Sequence, residues 1–310
     1  MLGRTANGLF WMARYMERAE NTARLLDAGL RIALTRTGDA SGEWESVLNS
    51  AGVAEAFRAN GRQATAETVA DFLLRAPESP SCVLNTLRAA RDNGRMVRTA
   101  LTRDAWESLN AGWLNLRERL SAPFTETDLP EVLSDIKRET ALFRGMFYGT
   151  ALRNENYSFA RLGTYVERAD NTSRIIDVKY YVLLPSFSRV GSSLDNYHWE
   201  AILRSVSAHR AFAWAYNAEP TPVLIADFLI LNKKMPRSLA ACYQEITHHL
   251  GLLGEGAGCH KSACEIAAML ESGSIDTIFA EGLHEFLTDF VQRNNALSSA
   301  IATTYRFIPD

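Results

Sequence analysis

The chain has 310 residues, 47% of them hydrophobic, so it is long enough to bury a large core in one domain or in two. Its 33 lysine and arginine residues nearly balance 36 aspartate and glutamate residues. The formal net charge of -3 therefore provides no global field that would attract nucleic acid or anionic lipid.

The cysteines are sparse and irregularly spaced, which is typical of reduced thiols rather than of a disulfide framework. They are Cys82, Cys242, Cys259 and Cys264. The first residues lack the pattern of a secretory signal, and no apolar run approaches the roughly 18 residues of a membrane span. We therefore expect a soluble cytoplasmic protein with no membrane or nucleic-acid partner.

Apolar residues recur every three or four positions along most of the chain, and the alternation typical of strands is hard to find. This periodicity predicts an all-α fold. In chain order, the predicted helices of the first half cover residues 7–34, 43–57, 66–75, 80–101, 105–120 and 130–150. Those of the second half cover residues 157–184, 197–216, 222–231, 236–252, 260–271 and 275–305.

Polar and Pro- or Gly-containing segments separate these helices. The clearest breaks are predicted at residues 35–41, 121–129 and 185–196. Ser79-Pro80-Ser81 predicts a helix start, because a capping hydroxyl precedes a proline whose φ suits a first turn.

The second half of the sequence repeats the first. Residues 15–27 read YMERAENTARLLD and residues 165–177 read YVERADNTSRIID, with eight of thirteen positions identical. Further matches follow in the same order: WESVL at 44–48 with WEAIL at 199–203, ADFLL at 70–74 with ADFLI at 226–230, and Pro80 with Pro236. We therefore predict a tandem duplication of a roughly six-helix unit, with halves at 1–153 and 154–310 packed around a pseudo-twofold axis.

Each repeat carries a stripe of polar residues on its first long helix. Glu17, Asn21 and Arg24 are spaced i, i+4 and i+7, which places them on one helix face roughly opposite the apolar stripe. The second repeat has the same three residue types at the same spacing, at Glu167, Asn171 and Arg174. Together with Arg18 and Arg168, these residues form the candidate ligand- or partner-binding set.

Two interpretations of this set are open. In one, the two helices cross near the pseudo-twofold axis and their charges form a mutual ion-pair network. In the other, arginine and asparagine from each repeat bind an anionic or peptide-like ligand between the halves, while Glu17 and Glu167 meet an amine. Burial separates them, because breaking a buried network costs about 3 to 5 kcal/mol and breaking an exposed pair about 0 to 1 kcal/mol.

The ER dipeptides at Glu17-Arg18 and Glu167-Arg168 stand in a twice-repeated helical frame. Other matching stretches are NGLFWMARY at 7–15, Pro80-Ser81 leading into LRAARDN at 87–93, WESLN at 106–110 and GLHEFL at 282–287. With these motifs, nearly the whole chain resembles the Alpha-E family, which is marked by an ER motif in tandem duplication.

The resemblance implies a place in a bacterial peptide synthesis or modification system. Alpha-E proteins occur beside, or fused to, circularly permuted ATP-grasp ligases, with transglutaminase-like proteases and NTN-hydrolase peptidases nearby. We expect an accessory subunit that binds the ligase or its peptide or amino-acid substrate, while the ligase performs the ATP chemistry. The alternatives are a catalytic component that uses the polar stripe for acid–base chemistry, and a purely structural oligomeric scaffold.

Other motifs carry less weight, and neither a metal nor a cofactor is expected. The glycine-rich residues 254–262 lack the spacing of a phosphate loop, and the scattered His and Cys residues lack zinc-ligand spacing. Cys82 and Cys242 have no base that sequence identifies. Ser81, Lys233, Lys234 and Arg237 lie near two predicted helix starts, where backbone amides can bind an anion.

Overall fold

The computed structural model describes residues 3–34, 41–183, 193–254 and 258–307. Within these ranges the secondary structure is helical and contains no strand, which confirms the predicted all-α class. The predicted breaks at 35–41 and 185–196 lie largely outside the described residues. Where they are described, at residue 41 and residues 193–196, the chain is helical.

Fifteen α-helices follow one another in the described residues. The first seven are α1 (Gly3–Ala33), α2 (Ser41–Ala51), α3 (Ala54–Arg58), α4 (Ala66–Leu74), α5 (Val83–Met96), α6 (Arg103–Ser121) and α7 (Leu129–Thr150). The other eight are α8 (Glu155–Leu183), α9 (Ser193–Ser205), α10 (His209–Tyr216), α11 (Pro222–Ile230), α12 (Leu239–Gly254), α13 (Gly258–Ser272), α14 (Ile275–Glu281) and α15 (Leu283–Thr304). The predicted domain boundary at 153/154 falls between α7 and α8 and stays a prediction.

Three helices were predicted to be continuous, at 43–57, 197–216 and 275–305, and this was wrong. Each of these segments forms two helices. Gly52 separates α2 from α3 at φ +71°, Ser207 lies between α9 and α10 at φ +58°, and Gly282 separates α14 from α15 at φ +111°. A left-handed residue turns the backbone out of the right-handed helix, and glycine adopts it without strain. Apolar periodicity continues across such a residue, so the pattern does not reveal the break.

The predicted helix start at Ser79-Pro80-Ser81 was also wrong. Helix α5 begins at Val83, and the cap is Cys82, whose sulfur accepts a hydrogen bond from the Asn85 amide at 3.5 Å. Helix α12 likewise begins after residue 238, where the Ser238 hydroxyl accepts from the Ala241 amide at 3.0 Å. In both places the proline lies in the turn that precedes the cap. Pro130, in contrast, lies in the first turn of α7 as predicted.

Helices α1 and α8 form the centre of the protein, and the contact between them is the most extensive of any helix pair described. The other helices surround this pair: α5, α7 and α9 pack on α1, while α12 and α15 pack on α8. The crossing is close at Gly163, where an added Cβ would clash with the Phe10 carbonyl oxygen. Both long helices therefore lie in the interior, and many of the polar residues on them are buried.

The same core takes up apolar side chains from both predicted halves. Helix α2 packs on α8 and helix α9 packs on α1, so each half contributes a helix to the central helix of the other. Within the described part of the chain, no helix combines the length and apolar character that crossing a membrane requires.

Candidate functional site

The ER dipeptides Glu17-Arg18 and Glu167-Arg168 bind each other across the contact of α1 and α8. Arg168 donates from Nε and Nη2 to the two carboxylate oxygens of Glu17, at 2.8 and 3.0 Å. Arg18 donates in the same way to Glu167, at 2.5 and 3.0 Å. Each glutamate therefore pairs with the arginine of the other dipeptide, and two reciprocal two-point ion pairs join the helices.

Both carboxylates are deeply buried, with 2% of Glu17 and 4% of Glu167 exposed. A buried charge persists only when it is paired and hydrogen-bonded. Burial alone would raise the pKa of each carboxyl, but the surrounding guanidinium groups outweigh it. They lower the pKa of Glu17 below its usual range and the pKa of Glu167 to about 2. Both groups are therefore ionised at neutral pH.

Additional arginines close the site around Glu17. Arg237 donates from Nη1 to Glu17 at 3.1 Å, and its other terminal nitrogen contacts Glu20. Arg144 of α7 also contacts Glu20. The cavity beside Glu17 measures about 10 Å³ and has room for roughly one water. The Glu17 side is a closed ion-pair cluster.

This cluster holds more cations than carboxylates. Burial and the nearby guanidinium groups of Arg168, Arg24 and Arg144 lower the pKa of Arg237 well below its usual value, despite the attraction of Glu17. The sequence analysis placed Arg237 at a helix start where it could bind an anion. The structure instead places its guanidinium against the protein's own carboxylates.

The Glu167 side has a different set of partners. Arg14 donates from Nε to Glu167 at 2.8 Å and from Nη1 to the Ser298 hydroxyl of α15 at 2.7 Å. Arg14 is buried, whereas 30% of the Arg18 side chain is exposed. One edge of this cluster therefore faces an open space.

Arg24 and Arg174 occupy matching positions on α1 and α8 but differ in exposure. Arg24 pairs with Glu20 one turn earlier, at 2.9 Å, and donates to the Ser205 carbonyl at the end of α9, at 2.7 Å. Its side chain is buried and ties α1 to α9.

Arg174 pairs with Asp170 one turn earlier, at 2.6 Å, and donates to the Ser50 carbonyl in α2 at 3.1 Å. One third of its side chain is exposed. Both arginines thus bond a carbonyl in a helix of the other predicted half, but only Arg174 reaches the open space.

That space is a cavity of about 230 Å³ between α1 and α8. A volume of this size is far above the roughly 10–15 Å³ that one water needs, and it lies below the range of drug-sized ligand pockets. The lining residues are Arg14, Arg18, Asn21, Thr22, Leu25, Ala51, Leu73, Ser81, Glu167, Asp170, Asn171, Arg174 and Asn295. The cavity therefore fits a small ligand or one side chain of a larger partner.

The two asparagines of the predicted stripe both line this cavity but have different partners. The Asn21 amide donates to the Glu167 carbonyl at 3.5 Å and accepts from Arg237 at 3.3 Å. Asn171 is only 8% exposed, yet its side chain forms no hydrogen bond with any residue that the structure describes. Its amide atoms remain accessible from the cavity, where a ligand or water can bond them.

The eight predicted site residues thus divide into two groups. Five line the cavity: Arg18, Asn21, Glu167, Asn171 and Arg174. The other three, Glu17, Arg24 and Arg168, lie outside its lining and belong to the buried ion-pair cluster. The mutual network that the sequence left as one interpretation is present, and an open cavity lies beside it.

Sequence reasoning missed five charged residues of this site: Arg14, Glu20, Arg144, Asp170 and Arg237 as a carboxylate partner. Glu20 and Asp170 occupy matching positions in the repeated segment, so a recurring acidic residue was an available signal. Arg144 lies on α7, outside the repeated segment, and local sequence carries no sign of its contact.

The candidate nucleophile Cys242 lies near the charges of Glu17, Arg168 and Arg237, but neither it nor Cys82 is activated. Burial raises the pKa of the Cys242 thiol to about 12, and it also raises the pKa of Cys82, so both thiols stay protonated at neutral pH. Among the described residues, no group of three or more His, Cys, Asp or Glu side chains is placed to hold a metal ion.

Comparison with known proteins identifies a family. No curated protein and no solved structure matches the chain significantly. The family model of Alpha-E, described as a predicted alpha-helical domain with a conserved ER motif, matches residues 1–306. Two ER dipeptides of the chain, Glu17-Arg18 and Glu167-Arg168, pair with each other between α1 and α8. The chain belongs to the Alpha-E family.

Proposed function

We propose that this chain is a helical accessory subunit of a bacterial, ATP-dependent peptide synthesis or modification system. In this proposal it works in the cytoplasm with a circularly permuted ATP-grasp ligase during amide bond formation. The ligase binds ATP and activates a carboxylate, and the helical subunit binds the peptide or amino-acid substrate. A transglutaminase-like protease and an NTN-hydrolase peptidase are further proposed partners.

One observation carries the binding role in this proposal. The 230 Å³ cavity is lined by polar side chains from both long helices, including a buried amide without a partner in Asn171. Its size suits one amino-acid side chain or the end of a peptide. Membership of the Alpha-E family supports the association with a ligase.

The proposal gives the two groups of site residues separate tasks. Arg18 and Arg174 are partly exposed and line the cavity, so they contact the substrate or a segment of the partner. Glu17, Arg24 and Arg168 are buried and hold α1, α8 and α9 in position. Substitution of a cavity residue that holds no ion pair therefore alters binding, and substitution in the buried cluster alters stability.

Reconstitution with the cognate ligase tests the proposal. ATP-dependent amide formation is measured with the ligase alone, with the helical chain alone and with both proteins together. We expect the helical chain alone to be inert and the ligase to change its turnover or product when the helical chain is added. Thr22→Val and Asn171→Ala, two cavity substitutions, should reduce that change while the thermal unfolding midpoint stays close to that of the wild type.

The alternatives give different outcomes in the same experiment. Product formation by the helical chain alone would identify a catalytic component, and it would contradict an accessory role. A ligase whose turnover and product ignore the helical chain, despite stable association, would favour a structural scaffold.

A further inference from the structure

The Arg237 guanidinium lies in a cage that the protein builds for it. Arg237 follows Pro236 in the turn before α12, and its two terminal nitrogens reach Glu17, Glu20 and Asn21. Two carboxylates and one amide oxygen thus accept from one guanidinium. Because the group is planar and has its donors at fixed angles, these acceptors define its position closely.

The corresponding residues on the other side surround the 230 Å³ cavity. Glu167, Asp170 and Asn171 lie 150 positions after Glu17, Glu20 and Asn21, and all three line the cavity. Ser81 follows Pro80 as Arg237 follows Pro236, and it lines the cavity too. Two shorter side chains, serine for arginine and aspartate for glutamate, account for the empty volume.

The charges on the two sides are equal once Arg237 is set aside. The cage has two carboxylates and three further guanidinium groups, those of Arg24, Arg144 and Arg168. The cavity also has two carboxylates and three guanidinium groups, those of Arg14, Arg18 and Arg174. On the Arg237 side, two carboxylates and three guanidinium groups surround a further guanidinium, that of Arg237 itself. The same set of charges around the cavity is therefore compatible with one more guanidinium there.

Acceptors for such a group remain open in the cavity. In the cage, the Asn21 amide oxygen accepts from Arg237 at 3.3 Å, whereas the equivalent Asn171 amide is buried with no partner among the described residues. Oε1 of Glu17 accepts from both Arg168 and Arg237, but Oε1 of Glu167 accepts from Arg18 alone. One more donor at this oxygen completes the same arrangement.

The remaining lining fits the aliphatic part of a ligand. Leu25, Ala51 and Leu73 contribute apolar surface to the same cavity. A methylene stem can pack there while its polar end reaches the acceptors, as long charged side chains do elsewhere in proteins.

We propose that this cavity binds a guanidinium group on a short aliphatic stem, such as the side chain of an arginine residue in a peptide or a free guanidino compound. Guanidinium is favoured over ammonium because its planar group presents several donors at fixed angles to these acceptors, and because it is more weakly hydrated than an ammonium and so loses less on burial. The group occupies the place that Arg237 fills on the opposite side.

Small probes test the proposal on the isolated full-length chain. Methylguanidinium, ethylammonium, urea and acetate are each titrated at constant ionic strength, with binding followed by calorimetry and by the thermal unfolding midpoint. We expect saturable binding of one methylguanidinium per chain and at least about tenfold weaker binding of each other probe. Acetate bound more tightly than methylguanidinium, or no saturable binding of methylguanidinium, would overturn the proposal.

Three variants locate the binding. Ser81→Arg supplies a guanidinium from the chain itself and should abolish methylguanidinium binding. Asn171→Ala should weaken binding at least about tenfold without lowering the unfolding midpoint, because the amide has no protein partner to lose. Asn115→Ala, the same change at an exposed residue of α6, should leave binding as in the wild type. Undiminished binding in both Ser81→Arg and Asn171→Ala would place the probe elsewhere and refute the site.

The opposite substitution provides an independent check. Arg237→Ser empties the cage and should lower the unfolding midpoint, and methylguanidinium should raise that midpoint by more in this variant than in the wild type. Urea at the same concentration is the neutral planar control. These binding measurements require no ligase, so a failed reconstitution would not change their result. Conversely, absence of probe binding would not change the result of the ligase experiment.

Discussion

Arg168 donates two hydrogen bonds to Glu17 across the crossing of α1 and α8, and both residues are almost completely buried. The reciprocal pair of Arg18 and Glu167 lies beside it. The ER motif thereby joins the two central helices, since each dipeptide supplies the partner of the other. Loss of either ion pair should therefore lower the stability of the protein.

Glu17→Gln should destabilise the protein by about 3 to 5 kcal/mol, because it leaves the buried guanidinium groups of Arg168 and Arg237 without their shared carboxylate. Urea unfolding at pH 7 measures the loss. Asp289→Asn is the matched control, because it removes a carboxylate from an exposed pair with Arg293 and should cost less than about 1 kcal/mol. Equal effects of the two substitutions would contradict a structural role for the motif.

Gly163→Ala should destabilise the protein by about 1 to 3 kcal/mol or more, because the added methyl meets the backbone of Phe10 and forces α1 and α8 apart. Thermal unfolding measures the effect. Gly145→Ala makes the same change inside α7, where nothing lies within 4 Å of the new methyl. It should stabilise the helix by about 0.5 to 1 kcal/mol. A Gly163→Ala variant with the same unfolding midpoint as the wild type would argue against the close crossing of α1 and α8.

Acid should weaken the fold through Glu167. Its pKa is about 2 in the folded protein against a reference value of 4.5, so the unfolded chain binds the proton more readily. The stabilisation is complete above pH 4.5 and is lost as the pH falls towards 2. Urea unfolding between pH 7 and pH 2 should show this decline. Glu167→Gln should have a flatter profile in the same window, and an identical slope in the variant would contradict the expectation.

His249 adds a second pH-dependent contribution at higher pH. Burial and, secondarily, the charge of Arg161 lower its pKa to about 4 from a reference value of 6.5. The folded state therefore keeps the ring neutral where the unfolded state protonates it, and stability falls as the pH drops from 6.5 to 4. Unfolding free energies should show a smaller decline in this window for His249→Gln. At pH 8 the ring is neutral in both states, so the remaining difference measures lost packing, including the contact with Ser158.

Local signals in the sequence predicted the helices well but not their ends at left-handed residues. Ser207 interrupts an apolar pattern that runs on from α9 to α10, and its φ of +58° depends on the packing of both helices. Pro80 and Pro236 resemble helix starts, yet each lies in the turn before a helix whose cap is Cys82 or Ser238. Caps and breaks of this kind depend on contacts that periodicity does not contain.

The site was predictable only where the segments at 15–27 and 165–177 carry the same residues. Recurrence of glutamate, arginine and asparagine in α1 and α8 identified the cluster, because both helices carry the ER segment. The sequence left open whether the stripe is buried, and the structure places Glu17 and Glu167 inside the protein. When other helices surround a helix, its polar face can be buried as well as its apolar face. Whether this happens depends on how the neighbouring helices are arranged, which the sequence pattern of one helix does not show.

The sequence by itself determined the all-α class, the family and the recurring Glu, Arg and Asn residues that meet at the centre, because helical periodicity and recurring motifs are local properties of the chain. Tertiary structure decided which arginine pairs with which glutamate, and that one side closes around Arg237 while the other opens at Ser81. Those outcomes depend on the crossing of α1 and α8 and on side chains from distant turns, since charge pairing and cavity volume are set by distances in space.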